Sequence, residues 1–504
     1  MTLRSIRHYT AALLAGALAP LAFSPINMWL LSLVSVGGLY MLLRDTSPRT
    51  GAWTGLWYGL GYFGLGTSWV YVSIHDYGQA PPALALLVTG LFTALLAGFF
   101  AAQCWGYRKL CLASWSIIPG FAACWVISEW CRSWLFTGFP WLYLGSPHTT
   151  TLFSGIAPVF GVLGISFTIA LSGALFGQIL QDYRRLHSFY AVTKHQLPTA
   201  LLMLWGLASV SSKIIWTTPA QSPPLQVALI QGNIGQSLKF RADYLAESMD
   251  RYAALSDDQW DKDLIVWPET AIPLVYQNAQ SILEQLDQQA LATDTTLISG
   301  IFYRDGAAIY NSLVTVGKGQ GLWHKQKLVP FGEYVPLASL MENVLSLFEL
   351  PMSSLRPGPS DQPLLQAGPY RIAPFICYEV VYPEFVRHHA AGADVLLTVS
   401  NDTWFGTSWG PHQHLQIAAM RARELGRYMI RATNNGISAV INERGEIIAR
   451  TPQFEATTLS AEVPVYTGLT PYARWGVFPV LLFSSLLLLL NLIPIGLLRK
   501  PVTP

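Results

Sequence analysis

The chain has 504 residues, 52% of them hydrophobic and only 12% charged, with a net charge of +2. An ordinary soluble domain is about 25% charged, so this composition excludes a wholly soluble protein, and the near-zero net charge excludes a broad nucleic-acid surface. The charges gather between about residues 239 and 450, with apolar stretches on both sides, which predicts a soluble domain carried by a membrane protein.

The first apolar stretch runs from Tyr9 to about Phe23 behind Arg4 and Arg7. Others cover about 26–43, 52–74, 82–106, 112–135, 155–181, 197–216 and 475–498. A bilayer core takes about 20 residues of helix, so eight membrane helices are expected. The first stretch also fits a cleaved signal peptide, but the second follows almost at once, which favours an anchor within a bundle.

Arg44 and Arg49 follow the second stretch, Arg108 and Lys109 the fourth, Arg184, Arg185 and Lys194 the sixth, and Arg499 and Lys500 the eighth. The loops around 24–25, 75–81 and 136–154 hold no Lys or Arg. Positive residues stay on the cytoplasmic side, so both termini are expected there and the polar domain outside. Glu129 and Arg132 are expected to pair, i to i+3. Trp130, Trp134, Phe139, Trp141 and Tyr143 read as an interfacial belt or a lipid-facing groove.

The expected division is a seven-helix membrane region over 1–217, an outer domain over 224–467, and an eighth helix with a short tail over 474–504. In the outer domain, apolar runs predict strands at Leu225–Gln231, Leu264–Glu269, Thr296–Phe302, Ile309–Val316, Leu322–Leu328, Ile372–Ile376 and Val395–Ser400. Helices are predicted over 241–255, 281–293 and 412–431, and closing strands over 436–450 and 458–463. This is an α/β pattern, and ligands in such sheets sit at strand ends.

Four of the five cysteines lie in the apolar half, and Cys377 alone lies in the polar domain. No Cys-x-x-Cys or zinc spacing exists; His388-His389 and His412-x-His414 read as surface or packing residues, and no metal or cofactor is expected. Three strand ends deliver Glu269, Lys325 and Cys377. Each has an ordinary explanation: a helix-start carboxylate, a solvated lysine, a core thiol. Together they form a chemical set. A carboxylate in a poorly solvated pocket, its pKa raised, is expected to serve as base for the thiol. The lysine is expected to steady the thiolate and then an oxyanion, with the Tyr378 N–H as second donor.

Val266-Trp267-Pro268-Glu269, Lys325-x-x-Leu328-Val329-Pro330-Phe331-Gly332-Glu333 and Cys377-Tyr378-Glu379 resemble the Glu, Lys and Cys motifs of the nitrilase (carbon–nitrogen hydrolase) superfamily. With Gln231-Gly232-Asn233-Ile234, Asn401-Asp402-Thr403-Trp404-Phe405-Gly406, Thr433-Asn434-Asn435-Gly436 and the apolar flanks, nearly the whole chain resembles the apolipoprotein N-acyltransferase family of bacteria. The resemblance implies an α-β-β-α sandwich on an eight-helix bundle in the inner membrane, facing the periplasm. It implies transfer of an acyl chain from a phospholipid to Cys377, and then to the α-amino group of an apolipoprotein's diacylglyceryl-modified N-terminal cysteine.

Carried over by motif, Glu269 is the base, Lys325 the oxyanion stabiliser and Cys377 the nucleophile, with Glu333, Tyr378 and Glu379 in support. Phe240 departs from the family, which is expected to have tryptophan there; Phe240, Trp404, Phe405 and Phe348 are expected near the substrate. The partners implied are phospholipid, diacylated apolipoprotein and the bilayer, with no nucleic acid, and the chain is expected to be monomeric. Two rivals remain at this point: a membrane-tethered amidase that resolves the thioester with water, and a transporter or scaffold whose outer domain only binds. Leu337, Met341, Val344, Leu345 and Phe348 recur at helical spacing between Tyr334 and Pro357, which reads equally as a core helix or as a lid resting on the bilayer.

Overall fold

A computed structural model describes residues 2–111, 117–187, 196–334 and 355–491. Lys194, Arg499, Lys500 and the apolar series Leu337, Met341, Val344, Leu345 and Phe348 lie outside the described residues. The chain divides into two compact units, one of residues 1–68, 86–214 and 474–504, the other of 69–85 and 215–473.

The first unit is helical: Leu3–Leu18, Leu30–Leu43, Pro48–Gly66, Ile117–Arg132, Ala157–Leu186, Leu197–Ser211 and Phe478–Leu490, with Pro82–Leu110 entering it from the other unit. Pro82–Leu110 and Ser154–Leu186 are long and apolar enough to cross a membrane, and Leu30–Leu43, Leu197–Ser211 and Phe478–Leu490 are shorter apolar helices. The third apolar stretch, read as continuous to 74, stops as a helix at Gly66. Trp69–Val72 and the turn Ser73–Tyr77 group with the α/β unit instead.

Glu129 and Arg132, expected to pair with each other, both bind the segment 139–144. Glu129 Oε1 accepts from Leu144 N at 2.7 Å and from Trp125 Nε1 at 3.0 Å. Arg132 donates to the main-chain oxygens of Phe139, Trp141 and Leu142. This folds Trp141 and Tyr143 inward, 1% and 2% exposed, so they do not belong to a surface belt. Trp134 remains half exposed.

The second unit is built on two large sheets and a two-stranded ribbon. The strands are β1 (Thr218–Pro219), β2 (Leu225–Gln231), β3 (Leu264–Val266), β4 (Ile272–Val275), β5 (Thr296–Asp305), β6 (Ala308–Gly317), β7 (Leu322–His324), β8 (Leu365–Ala367), β9 (Tyr370–Ile376), β10 (Val395–Ser400), β11 (Met429–Thr433), β12 (Ala439–Ile441), β13 (Ile447–Arg450), β14 (Thr457–Val463) and β15 (Tyr466–Thr467). One large sheet runs β14-β2-β3-β5-β6-β7 with β4 beside β5; the other runs β13-β12-β11-β10-β9-β8. Apart from them, β1 and β15 pair as the antiparallel two-stranded ribbon. The central neighbours β2/β3, β3/β5, β9/β10 and β10/β11 are parallel.

Strand parity explains the layering. Successive side chains point to opposite faces, so Leu225, Val227 and Leu229 of β2 join Val395, Leu397 and Val399 of β10 in a core between the sheets. Ala228 and Ile230 face the other way, into a core with Tyr252 of helix Leu245–Ser256 and with Leu283 and Leu286 of helix Gln280–Ala292. Strands buried on both faces read as continuous apolar runs, as these do.

The helix predicted over 412–431 is instead helix Gly410–Leu425 followed by β11. Gly426, at φ 60°, caps the helix with its N–H on Ala422 O. Only glycine takes that backbone cheaply, and it frees Met429–Thr433 to pair with β10. The helix predicted from 241 begins at Leu245.

Candidate active site

Three strand ends converge. Past β3, Trp267 N still bonds Ile298 O at 2.9 Å, and Glu269 follows in a turn over β5. Gly300 of β5 permits this turn, because a Cβ there would stand 2.2 Å from Thr270 N. Lys325 follows β7, its N–H on Asn311 O of β6 at 2.8 Å. Cys377 ends β9 and opens a short 3-10 turn, Cys377–Val381, with φ 52°. A non-glycine residue in that region is strained, and such strain gathers at functional sites.

Lys325 Nζ lies 3.2 Å from Glu269 Oε1 and 2.8 Å from Glu333 Oε1. All three side chains are buried. Asn311 Nδ2 donates to both carboxylates, at 2.7 Å and 3.2 Å. Glu269 Oε2 accepts from Asn401 N at 2.8 Å, and Glu333 Oε2 from Val329 N at 2.7 Å. Burial favours the neutral acid at Glu269, but the Lys325 charge, Asn311, Lys239 and the Asn401 N–H together hold it below the ordinary carboxylate value. The expected upward shift is therefore reversed, because the pocket that excludes water supplies cations and donors in its place. Lys325 is pushed down by burial and up by Glu269 and Glu333, and ends above the ordinary lysine value.

Around the half-buried Cys377, burial and then the Glu269 charge push the thiol up, while Lys325 and the Ser400 hydroxyl pull it down. Ser400 Oγ is 3.4 Å from Sγ and also donates to Asp402 Oδ1. Behind it lies a buried polar group. Arg431 donates to Asp402 Oδ2 at 2.6 Å and contacts His414 Nδ1 at 3.1 Å, and His414 Nε2 is 3.1 Å from Cys377 O. His414, expected at the surface or in packing, is fully buried with its ring against the Cys377 main chain.

Cys377, Asp402 and His414 offer ligand atoms within 4.8 Å of one another. The Arg431 guanidinium already occupies Asp402 and His414, so a cation there would meet a fixed positive charge.

Glu379 is buried, with Oε2 accepting from Ile376 N at 2.7 Å and Oε1 from Gln326 N at 2.6 Å. Burial pushes its carboxyl up to about 7 against these bonds. It ties the cysteine turn to the residues just after Lys325. Tyr378 is buried, its ring 5.3 Å from that of Tyr382. Phe240 is 43% exposed with its ring 6.3 Å from Phe302. Trp404 and Phe405 pack against residues 69–77: Trp404 O accepts from Ser73 Oγ at 2.7 Å, and the Phe405 and Trp69 rings are 4.8 Å apart. Phe348 lies outside the described residues.

The motifs around 231, 401 and 434 lock together, as Asn434 Nδ2 donates to Ile234 O at 2.7 Å and Asn401 Oδ1 at 3.1 Å. Asn311, Lys239, Ser400, Asp402, His414 and Arg431 were not singled out as site residues. Parity carried a signal for Arg431, a charge inside an apolar strand whose neighbours Ile430 and Ala432 face the sheet core.

The family described as carbon-nitrogen hydrolase matches residues 226–472, and that described as apolipoprotein N-acyltransferase N-terminal domain matches residues 15–175. Curated relatives named apolipoprotein N-acyltransferase align over almost all of the chain. That of Pseudomonas aeruginosa is 48% identical over 487 residues, 95% of this chain and 94% of its own. That of Pseudomonas putida is 45% identical over 484 residues, 95% of each. That of Coxiella burnetii is 38% identical over 489 residues, 95% of this chain and 99% of its own.

Proposed function

The chain belongs to the apolipoprotein N-acyltransferase family, and from that premise we propose that it carries an acyl group from a phospholipid, through a thioester on Cys377, to the α-amino group of an apolipoprotein's diacylglyceryl-cysteine. The observation that carries this reading is the buried Glu269–Lys325–Glu333 cluster brought together with a strained cysteine.

In the first half-reaction the Glu269 carboxylate takes the thiol proton. As its charge is neutralised, the Lys325 cation becomes available to the sulfur. The thiolate attacks the ester carbonyl, and Lys325 with the Tyr378 N–H steadies the oxyanion. The C–O bond then breaks, and the leaving glycerol oxygen takes the proton from Glu269. In the second, a neutral α-amine attacks the thioester and gives its proton to Glu269. The C–S bond breaks, an amide remains, and the proton returns to the sulfur. Glu333, Asn311 and Glu379 hold the set in place.

Eight membrane helices, both termini in the cytoplasm and the α/β domain in the periplasm complete the proposal, with boundaries at 1–217, 224–467 and 474–504. The alternation of Lys- and Arg-bearing loops with loops that have none supports it. An enzyme whose two substrates are lipids has to work at a bilayer surface.

The purified full chain is to be incubated with phospholipid, with and without a diacylated N-terminal cysteine peptide, and its intact mass measured. One hydroxylamine-labile acyl mass on Cys377, discharged to the peptide, is expected. Steady fatty-acid release without peptide would make it an amidase, and no adduct at all would make the outer domain a binding module.

A further inference from the structure

Two carboxylates, Glu269 and Glu333, are buried against a single lysine, Lys325. Counted alone this cluster has one negative charge too many, and forming a thiolate beside it would be opposed. A second ammonium stands close by. Lys239 ends the short helix Gln236–Lys239, is only 3% exposed, and donates through Nζ to the main-chain oxygen of Glu269 at 2.8 Å. Its helix is pinned to the site from the other side, since Gln236 Oε1 accepts from Asn401 Nδ2 at 2.8 Å, and Asn401 N bonds the Glu269 carboxylate.

A buried lysine is nearly always paired. Among the described residues no carboxylate stands within 4 Å of Lys239, and its Nζ bonds a neutral carbonyl. The charges that act on it are those of Glu269 and of a Cys377 thiolate. We propose that Lys239 is the second cation of this site: it makes the buried set electrically neutral, positions Glu269 through its main chain, and favours the thiolate of Cys377.

With Lys239 counted, Glu269, Glu333, Lys325 and Lys239 sum to zero when Cys377 is a thiol. They still sum to zero with the sulfur when the proton has moved to Glu269. Without Lys239 the same set would carry one net negative charge before and after the transfer, and Lys239 offsets it in a medium where an unpaired charge is expensive. Burial lowers the Lys239 ammonium to about 8, with Glu269 and Cys377 opposing, so it is charged at neutral pH. The groups that act most on the sulfur are Glu269, Lys325, Asp402 and the Ser400 hydroxyl. Glu379 stands behind the turn.

The inference rests on Cys377 as nucleophile, but its test does not need acyl transfer. The rate of iodoacetamide alkylation at Cys377, read by peptide mass across pH in the full chain in detergent, reports the thiolate directly. Lys239→Gln keeps a donor for Glu269 O without the charge, Lys239→Met removes both, and Lys239→Arg keeps the charge. Gln and Met are expected to raise the alkylation midpoint by about one pH unit, with Arg shifting it much less. An unchanged midpoint in Gln and Met, an equal shift in Arg, or loss of a cooperative melt in both neutral variants would overturn the proposal in favour of a purely structural lysine. Failure of the wild-type chain to take an acyl mass would overturn the functional reading and leave this titration intact.

Discussion

His414 Nε2 lies 3.1 Å from the main-chain oxygen of Cys377. A carbonyl only accepts, so Nε2 carries the hydrogen, while Nδ1 lies 3.1 Å from both the Arg431 guanidinium and the Asp402 carboxylate. Burial and the Arg431 charge hold the ring below its ordinary pKa against the opposing pull of Asp402. His414 thus anchors the strained cysteine from behind. His414→Ala should slow acyl-enzyme formation about tenfold or more, the equivalent of about 1–3 kcal/mol for an unmet buried hydrogen bond. His414→Gln, which can still donate, should recover part of it. Single-turnover acylation is the measurement, and equal rates in Ala and Gln would contradict the anchoring role.

Cys377→Ser should fold and take no acyl mass, because the pKa of a hydroxyl is far beyond what Glu269 can activate. Glu269→Gln should slow adduct formation by about 10²–10⁴ with phospholipid binding intact. Intact mass after phospholipid incubation decides both, and an adduct undiminished in Cys377→Ser would move the nucleophile elsewhere.

Lys325→Met is expected to cost stability as well as activity. It leaves Glu269 and Glu333 buried together without their shared cation, and breaking a buried ion pair from one side costs about 3–5 kcal/mol. Adding Glu333→Gln should restore most of the melting temperature while the enzyme stays inactive. Melts of the two variants side by side test this. A single variant that melts like wild type would mean the carboxylates find other partners.

Glu379 carries a pH dependence whose sign follows from its raised pKa of about 7. The native state keeps this proton to higher pH than the unfolded chain, whose carboxyl titrates near 4.5. Its contribution is fully present below the unfolded value and is lost as pH rises through the native one, by about 3 kcal/mol in all. Relative to Glu379→Gln, wild-type stability should therefore decline from about pH 4.5 to pH 7. Parallel stability curves for the two proteins would show that Glu379 is ionised throughout.

Much was legible in the chain itself because it rests on local pattern. Apolar runs marked β3, β7 and β9, and the residues just past their ends are Glu269, Lys325 and Cys377. The membrane character followed from composition. Three things depended on distance through space.

The helix read through to 431 was cut at Gly426, where a left-handed cap lets β11 pair with β10. Glu269 proved to be held down rather than pushed up, because Lys325, 56 positions on, supplies a cation and Asn311 and Lys239 add to it. Lys239 and His414 looked ordinary in line, and only packing set them against Glu269 and Cys377. Sequence by itself determined which groups are candidates for the chemistry. The tertiary structure decided their charges, since a pKa depends on neighbours a few ångströms away that the chain brings together from distant positions.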